Sequence, residues 1–268
     1  MWTFTTDVAE YAAAAEPFLL ADPVRNTVPL TVLANIRDGM PAQGAVFGWW
    51  TSWGEVCGAA FRTPPRALVL ADIPVEAAAA LAEEYDGEIP GLVGPRAAVD
   101  AACAALGRSG DVRAERLYRL GTLKPPGTPG RGRVATGGDL PLMVAWLDAF
   151  GAEVGMDLGD TVEAATRRLT RRELVVWETD GVPVSMAGVS PAMGGVCRTG
   201  PVYTPPACRG RGHGSAVTAY ASRLALDERG EEVVLFTDLA NPTSNAIYQA
   251  IGYEPVGDYA HVTLAGSS

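Results

Sequence analysis

"VYTPPACRGRGHGSA", residues 202–216, is the stretch on which the reading of this chain turns. A strand-like triplet, Val202-Tyr203-Thr204, gives way to two prolines. Arg209-Gly210-Arg211-Gly212-His213-Gly214 follows, and then Ser215 and a run rich in small residues that reads as a helix. The glycines leave the main chain bare and the arginines make the spot positive. A helix N-terminus adds unpaired N–H groups and a partial positive charge. Together these suit a phosphate. An ATP-type loop needs G-x-x-x-x-G-K-[ST], and no lysine lies near, Lys124 being the only one in the chain. A dinucleotide fingerprint needs G-x-G-x-x-G, but Gly210, Gly212 and Gly214 are spaced by twos and position 215 is serine.

Outward from this loop the second half of the chain scans cleanly. Downstream, "EVVLFTD" is a near-continuous apolar run, read as a central strand covered on both faces. Asn241 caps a helix with Pro242 at its first position and Gly252 at its end. "YEPVG" and "YAHVTL" read as closing strands. Upstream, "ELVVWET" and "VPVSMAGVS" flank Asp180-Gly181, a two-residue hairpin signal. "RVAT" is a short strand, and "TVEAATRRLTRR" and "LPLMVAWLDAFGAEV" are helices, the latter capped by Asp139. The first half gives the same order of helix, helix, hairpin (at Gly54-Glu55), strand and helix. That order points to an internal duplication. Its counterpart of the glycine loop, "LADIPVEA", lacks glycine and carries Asp72 and Glu76. A polyphosphate would meet acid there. Pro and Gly dominate the seam between the halves, which sets expected boundaries of 1–120, a linker at 121–132, and 133–268.

Arg209-x-x-Gly212-x-Gly214 between a strand and a helix resembles the pyrophosphate loop of the GCN5-related N-acetyltransferase (GNAT) superfamily. "FTDLANPTSNAIYQAIGYEPVGDY", residues 236–259, resembles its second signature: a strand end, Asn-Pro-x-x-Asn opening a helix, a tyrosine within it, then Gly-Tyr. The resemblance implies an α/β fold of two GNAT-like domains. Each is a mixed, mostly antiparallel sheet flanked by helices, and the C-terminal one has a V-shaped splay between two central parallel strands. The N-terminal domain is a degenerate copy. It further implies acetyl-CoA as acyl donor, with its pyrophosphate on Arg209, Gly210, Arg211, Gly212, His213, Gly214 and Ser215. The pantetheine arm would lie along Val202, Tyr203 and Thr204, with Asn241 and Asn245 contacting pantetheine or ribose. Tyr248 is the expected general acid for the departing thiolate. Asp238 is the first candidate for general base, with Glu178 and Asp180 behind it. The acceptor expected is a primary amine of a small molecule such as an amino acid, amino sugar or antibiotic-like compound, acetylated directly in a ternary complex. A protein acceptor stays open within the same chemistry, and a non-catalytic coenzyme A sensor is the reading from another class.

The bulk numbers set limits. A hydrophobic content of 48% against 19% charged residues describes a folded, core-bearing chain of 268 residues. A net charge of −10 argues against broad nucleic-acid binding. Cys57, Cys103, Cys197 and Cys208 form no C-x-x-C pair, and His213 and His261 lie at no metal spacing. No metal is therefore expected, and Cys197 and Cys208 lack a histidine to make either a nucleophile. With no basic leader and no apolar run of membrane length, the expectation is a cytoplasmic protein without membrane partners, to which homodimerisation stays open.

Overall fold

The computed structural model describes residues 1–156 and 158–265. By packing the chain divides into two units. One holds residues 1–117, 236–241 and 255–265, and the other residues 118–156, 158–235 and 242–254. The partition departs from the contiguous halves read from the Pro/Gly seam, because the final strand and a short piece before it group with the first unit.

The first half runs β1 (Trp2–Thr5), α1 (Val8–Ala21), α2 (Thr27–Arg37), β2 (Val46–Ser52), β3 (Glu55–Arg62), β4 (Leu68–Leu70), α3 (Val75–Glu84), β5 (Gly91–Pro95), α4 (Arg96–Leu106) and β6 (Gly110–Leu120). The second half repeats that order: β7 (Arg131–Val134), α5 (Leu140–Val154), α6 (Thr161–Thr170), β8 (Leu174–Thr179), β9 (Val182–Val189), β10 (Val196–Tyr203), α7 (His213–Glu228), β11 (Glu232–Asp238), α8 (Pro242–Ala250) and β12 (Tyr253–Leu264).

In the first unit β1 to β4 pair antiparallel in sequence, and β4 pairs β5 in parallel through Leu68↔Leu92 and Val69↔Val93. The next neighbour of β5 is not β6 but β12, antiparallel from Tyr259↔Pro95 to Thr263↔Gly91. The hairpin between β2 and β3 turns on Trp53 (φ 52°) and Gly54 (φ 84°), one residue earlier than Gly54-Glu55. Two left-handed residues make the turn whose twist matches the strands it joins. Tyr11, Leu19, Leu30, Phe47, Leu70 and Leu81 are fully buried and belong to this unit's core.

In the second unit β7, β8, β9 and β10 pair antiparallel, and Asp180 (φ 53°) and Gly181 (φ 77°) turn the β8–β9 hairpin as expected. β10 pairs β11 in parallel through Val196↔Glu232, Cys197↔Val233 and Arg198↔Val234. Beyond Arg198 β10 continues alongside β9, with a register shift between Thr199 and Val202. Gly200, at φ 147°, and Pro201, which lacks an N–H, occupy that bulge. The strand therefore parts from β11 early, which opens the V. One face of the sheet packs Val175, Ala187, Cys197, Val233 and Leu235 against Val217, Ala221 and Ala225 of α7. The other packs Leu174, Val176, Met186 and Tyr203 against Met143, Trp146 and Leu147 of α5 and Ala165 of α6.

Residues 121–130 are less free than their composition suggests. Gly121 and Lys124 donate main-chain N–H bonds to Gly252 and Ile251, at 3.0 and 2.9 Å, and Pro129 accepts from the Trp177 indole at 3.1 Å. Nor does Asp139 cap α5 with its side chain. Its carboxylate instead accepts the Thr136 N–H at 2.7 Å and pairs with Arg133, in a short turn ahead of the helix. Arg133 holds the Asp139 carboxyl down at about 2.

Candidate acyl-donor site

α7 is built to lie close to its sheet and to aim its N-terminus at the end of β10. Its buried residues are mostly small, including Ala216, Ala219, Ala221, Ser222 and Ala225. The buried hydroxyls are satisfied within the helix: Thr218 donates to the Gly214 carbonyl at 2.8 Å and Ser222 to the Thr218 carbonyl at 2.7 Å. Ser222 also meets the Tyr253 hydroxyl at 2.7 Å, which fixes the tyrosine of the Gly-Tyr pair in the core.

The loop between β10 and α7 turns on Gly210 (φ 74°) and Gly212 (φ 78°), both left-handed, where a side chain would be strained. A Cβ at Gly212 would also lie 2.7 Å from the Thr128 hydroxyl oxygen. The first bond of the helix runs from the Ala216 N–H to the Gly212 carbonyl at 3.0 Å. Among the described residues, nothing accepts from the N–H groups of Gly210, Arg211, Gly212, His213, Gly214 or Ser215, and the helix has no side-chain cap. Six successive donors thus stand uncommitted at the positive end of a 16-residue helix.

The side chains around this loop divide their work in ways the sequence did not reveal. The Arg209 guanidinium pairs with Glu153 of α5 at 2.5 Å, donates to the Thr204 carbonyl at 2.8 Å and lies 6.0 Å from the Tyr203 ring centre. It braces the loop from within. Arg211 is exposed and makes no ion pair among the described residues, so its charge is available. The His213 side chain is buried, and its Nδ1 sits 3.1 Å from the Cys208 carbonyl. A carbonyl only accepts, so Nδ1 carries the proton. Ser215 begins the helix half-buried.

Val202 and Tyr203 pair with Ala187 and Met186 on β9. Ser185 donates to the Tyr203 carbonyl at 3.0 Å and meets the Thr204 hydroxyl at 2.8 Å, so β10 is held straight into the loop. Tyr248 on α8 is buried, with its ring 6.2 Å from that of Tyr253 and edge-on to it. Its hydroxyl has no hydrogen-bond partner among the described residues, and burial pushes its pKa well above the usual phenol value. Asn245, one turn earlier, accepts from the fully buried Tyr118 hydroxyl at 2.9 Å. Gln249 donates to that hydroxyl at 3.1 Å.

The candidate bases fare differently. Glu178 is buried and gripped by Arg133 at 2.6 Å and Arg131 at 3.3 Å, and hydrogen bonding to Arg133 holds its pKa down. A carboxylate so stabilised is a poor proton acceptor. Asp180 is an exposed turn residue. Asp238 and Asn241 group with the first unit. There Asp238 accepts the Ala240 N–H on Oδ1 at 2.7 Å, and its carbonyl accepts the Asn241 N–H at 3.1 Å, the geometry of a turn before α8. No cluster of three or more His, Cys, Asp or Glu side chains fit to hold a metal occurs among the described residues. Nor, among them, is any helix long and apolar enough to cross a membrane.

Residues 141–253 match the sequence model of the Acetyltransferase (GNAT) family. No curated protein matches the sequence. The fold resembles that of a GNAT-family acetyltransferase from Colwellia psychrerythraea, with a TM-score of 0.66 and 14% identity over 99% of this chain and 100% of the other. It resembles a GCN5-related N-acetyltransferase from Sphaerobacter thermophilus at TM-score 0.67 and 17% identity, over 100% and 97%. A tandem GNAT protein from the clavulanic acid biosynthesis pathway superposes at TM-score 0.58 with 17% identity over the whole of both chains. At these identities the likeness speaks for the fold, and it includes the N-terminal half.

Proposed function

From the premise that residues 141–253 form a GNAT acetyltransferase domain, we propose that the protein moves an acetyl group from acetyl-CoA to a primary amine of a small molecule. The transfer is direct, within a ternary complex. The observation that carries this reading is the run of six uncommitted N–H groups from Gly210 to Ser215. They fit a pyrophosphate: successive donors at a helix N-terminus, an available Arg211, and glycines that leave the main chain open to close approach.

Acetyl-CoA supplies an activated thioester. In the transfer a C–N bond forms and the C–S bond breaks, the amine's proton leaves to solvent, and the thiolate sulfur takes a proton from the protein. Tyr248 holds that proton. Its buried phenol stays protonated throughout the physiological range, and no protein acceptor competes for its O–H among the described residues. The same dry surroundings that raise the phenol's pKa also raise that of a departing thiol, which keeps the two matched for transfer. We assign no side chain as base. Glu178 is neutralised by two arginines and Asp238 holds a turn.

The test is a thiol-release assay with acetyl-CoA and a panel of small amines, paired with calorimetry of acetyl-CoA binding. Turnover on at least one amine, with one acetyl-CoA bound per chain, is the expected result. Binding without turnover on any small amine or peptide would leave a coenzyme A-binding module and remove the enzymatic reading.

A further inference from the structure

β10 carries a charged residue where the interior of a sheet calls for an apolar one. Arg198 is the last residue of β10 to pair with β11, opposite the fully buried Val234, before the two strands part. Its neighbour Cys197 packs with α7, so strand alternation sends Arg198 to the face covered by α5 and α6. Its main chain is pinned to Ser190, whose hydroxyl accepts the Arg198 N–H at 2.9 Å and whose own N–H reaches the Arg198 carbonyl at 2.9 Å. The side chain, by contrast, makes no hydrogen bond among the described residues. Nη1 is buried without a hydrogen-bond partner, and no carboxylate makes an ion pair with the guanidinium among the described residues.

The charge that does act on Arg198 has the same sign. Arg168 reaches in from α6 and lies across Gly188, where a Cβ would stand 2.8 Å from its Nη1. That nitrogen donates to the Gly200 carbonyl in the bulge at 3.3 Å. Glu173 is the acid whose charge supports Arg168. Desolvation lowers the pKa of both guanidinium groups, that of Arg198 to about 10, and a guanidinium keeps its proton in a protein. Two desolvated cations, of which only Arg168 has a supporting acid, are costly for a core to hold. A planar guanidinium of this kind is suited to receive a carboxylate in a two-pronged grip.

The pair lies on the face of the sheet away from α7, where β10 and β11 separate, so the phosphates held at the head of α7 are not its anion. We propose that Arg198 and Arg168 receive the carboxylate of the amine acceptor, which makes the acceptor an amino acid or a close relative of one. This rests on the acetyltransferase reading and narrows it.

The experiment measures thiol release from acetyl-CoA with the standard amino acids and with their matched α-carboxamides. The expected result is at least one acid used with a kcat/KM about 100-fold above that of its carboxamide. Arg198→Met keeps the volume and removes the charge. It is expected to lower kcat/KM for the acid about 100-fold through KM, and to leave the carboxamide within about threefold and acetyl-CoA affinity unchanged. Removing an unpaired buried cation also leaves Tm equal or higher. Equal use of acids and carboxamides would overturn the proposal, as would a Tm that falls together with activity on both, which would make Arg198 structural. Preference for succinyl-CoA over acetyl-CoA with neutral amines would move the carboxylate to the donor and overturn the acceptor assignment. Acetyl-CoA binding with no amino acid accepted refutes this inference alone. Failure of acetyl-CoA to bind removes the parent reading and this one with it.

Discussion

The turn from β4 to α3 and the turn from β10 to α7 hold the same place in two runs of elements with the same order, and they are opposites. The first takes four residues, 71–74, and the second nine, 204–212. In the first, the Asp72 N–H is spent on the Asn26 side chain at 2.9 Å, Pro74 has no N–H to offer, and burial raises the Asp72 carboxyl. In the second, two left-handed glycines expose six amides and an arginine adds charge. The scaffold is common property of both halves. What differs is whether the main chain at one helix head is plugged or open, and on the proposed function that difference sets the donor-binding unit apart from its copy.

Closing the open turn is the most direct way to break the contrast. Gly212→Asp forces a side chain into a left-handed position and against Thr128, and sets a negative charge among the donors. Acetyl-CoA affinity is expected to fall by about 100-fold or more in calorimetry. The mirror change, Asp72→Gly, is expected to leave affinity and a stoichiometry of one per chain untouched, and a second bound acetyl-CoA would show that the first turn is not plugged. Next in size, Tyr248→Phe should lower kcat about 100-fold while acetyl-CoA affinity changes less than about twofold. A wild-type kcat would strip the phenol of its role.

A smaller effect tests how each half secures its first strand. In the first unit Trp2 is tied by its N–H to Glu84 and by its indole to the Ala77 carbonyl, both at 2.9 Å. In the second, Arg133 on β7 clamps Asp139 and Glu178. Asp139 has its pKa depressed to about 2 from its ordinary value near 4. Its contribution, about 2 kcal/mol, is present above about pH 4 and is lost as pH falls toward 2. Arg133→Ala is expected to lower Tm at neutral pH, and the gap from wild type should narrow through that acid window. A gap independent of pH would place the stabilisation elsewhere. Smallest of all, Trp53→Asn at the left-handed tip of the first hairpin should raise stability by about 0.5 kcal/mol, whereas Asp180→Asn at the matching tip should change it hardly at all.

Much of this contrast was legible in the residues. Helical spacing, the Asp-Gly hairpin and the glycine loop are local signals, and the elements they mark fall where the sequence places them. β1, β5, α4 and β6 were not read. β1 and β5 are only four and five residues long, and their strand identity comes from partners distant in sequence. β12 reads as two strands because Pro255 and Gly257 interrupt it, and nothing local states that it pairs with β5. At the site, the open amides were legible and the side-chain roles were not. Arg209 depends on Glu153 and Glu178 on Arg131 and Arg133, contacts that only the fold makes. Arg168 and Arg198 are silent in the sequence, because neither Arg167-Arg168-Leu169 nor Cys197-Arg198-Thr199 hints that the fold covers the middle residue.

The position of β12 also orders events at the ribosome. Residues 259–263 complete the sheet edge at β5, nearly 170 residues upstream. The unit whose synthesis starts first is therefore the one that waits longest for its last piece, holding an unpaired β5 edge until residue 264 has emerged. Nascent chains stalled in the linker are then expected to be protease-sensitive throughout their length, with protection of the first unit arriving only once β12 has emerged.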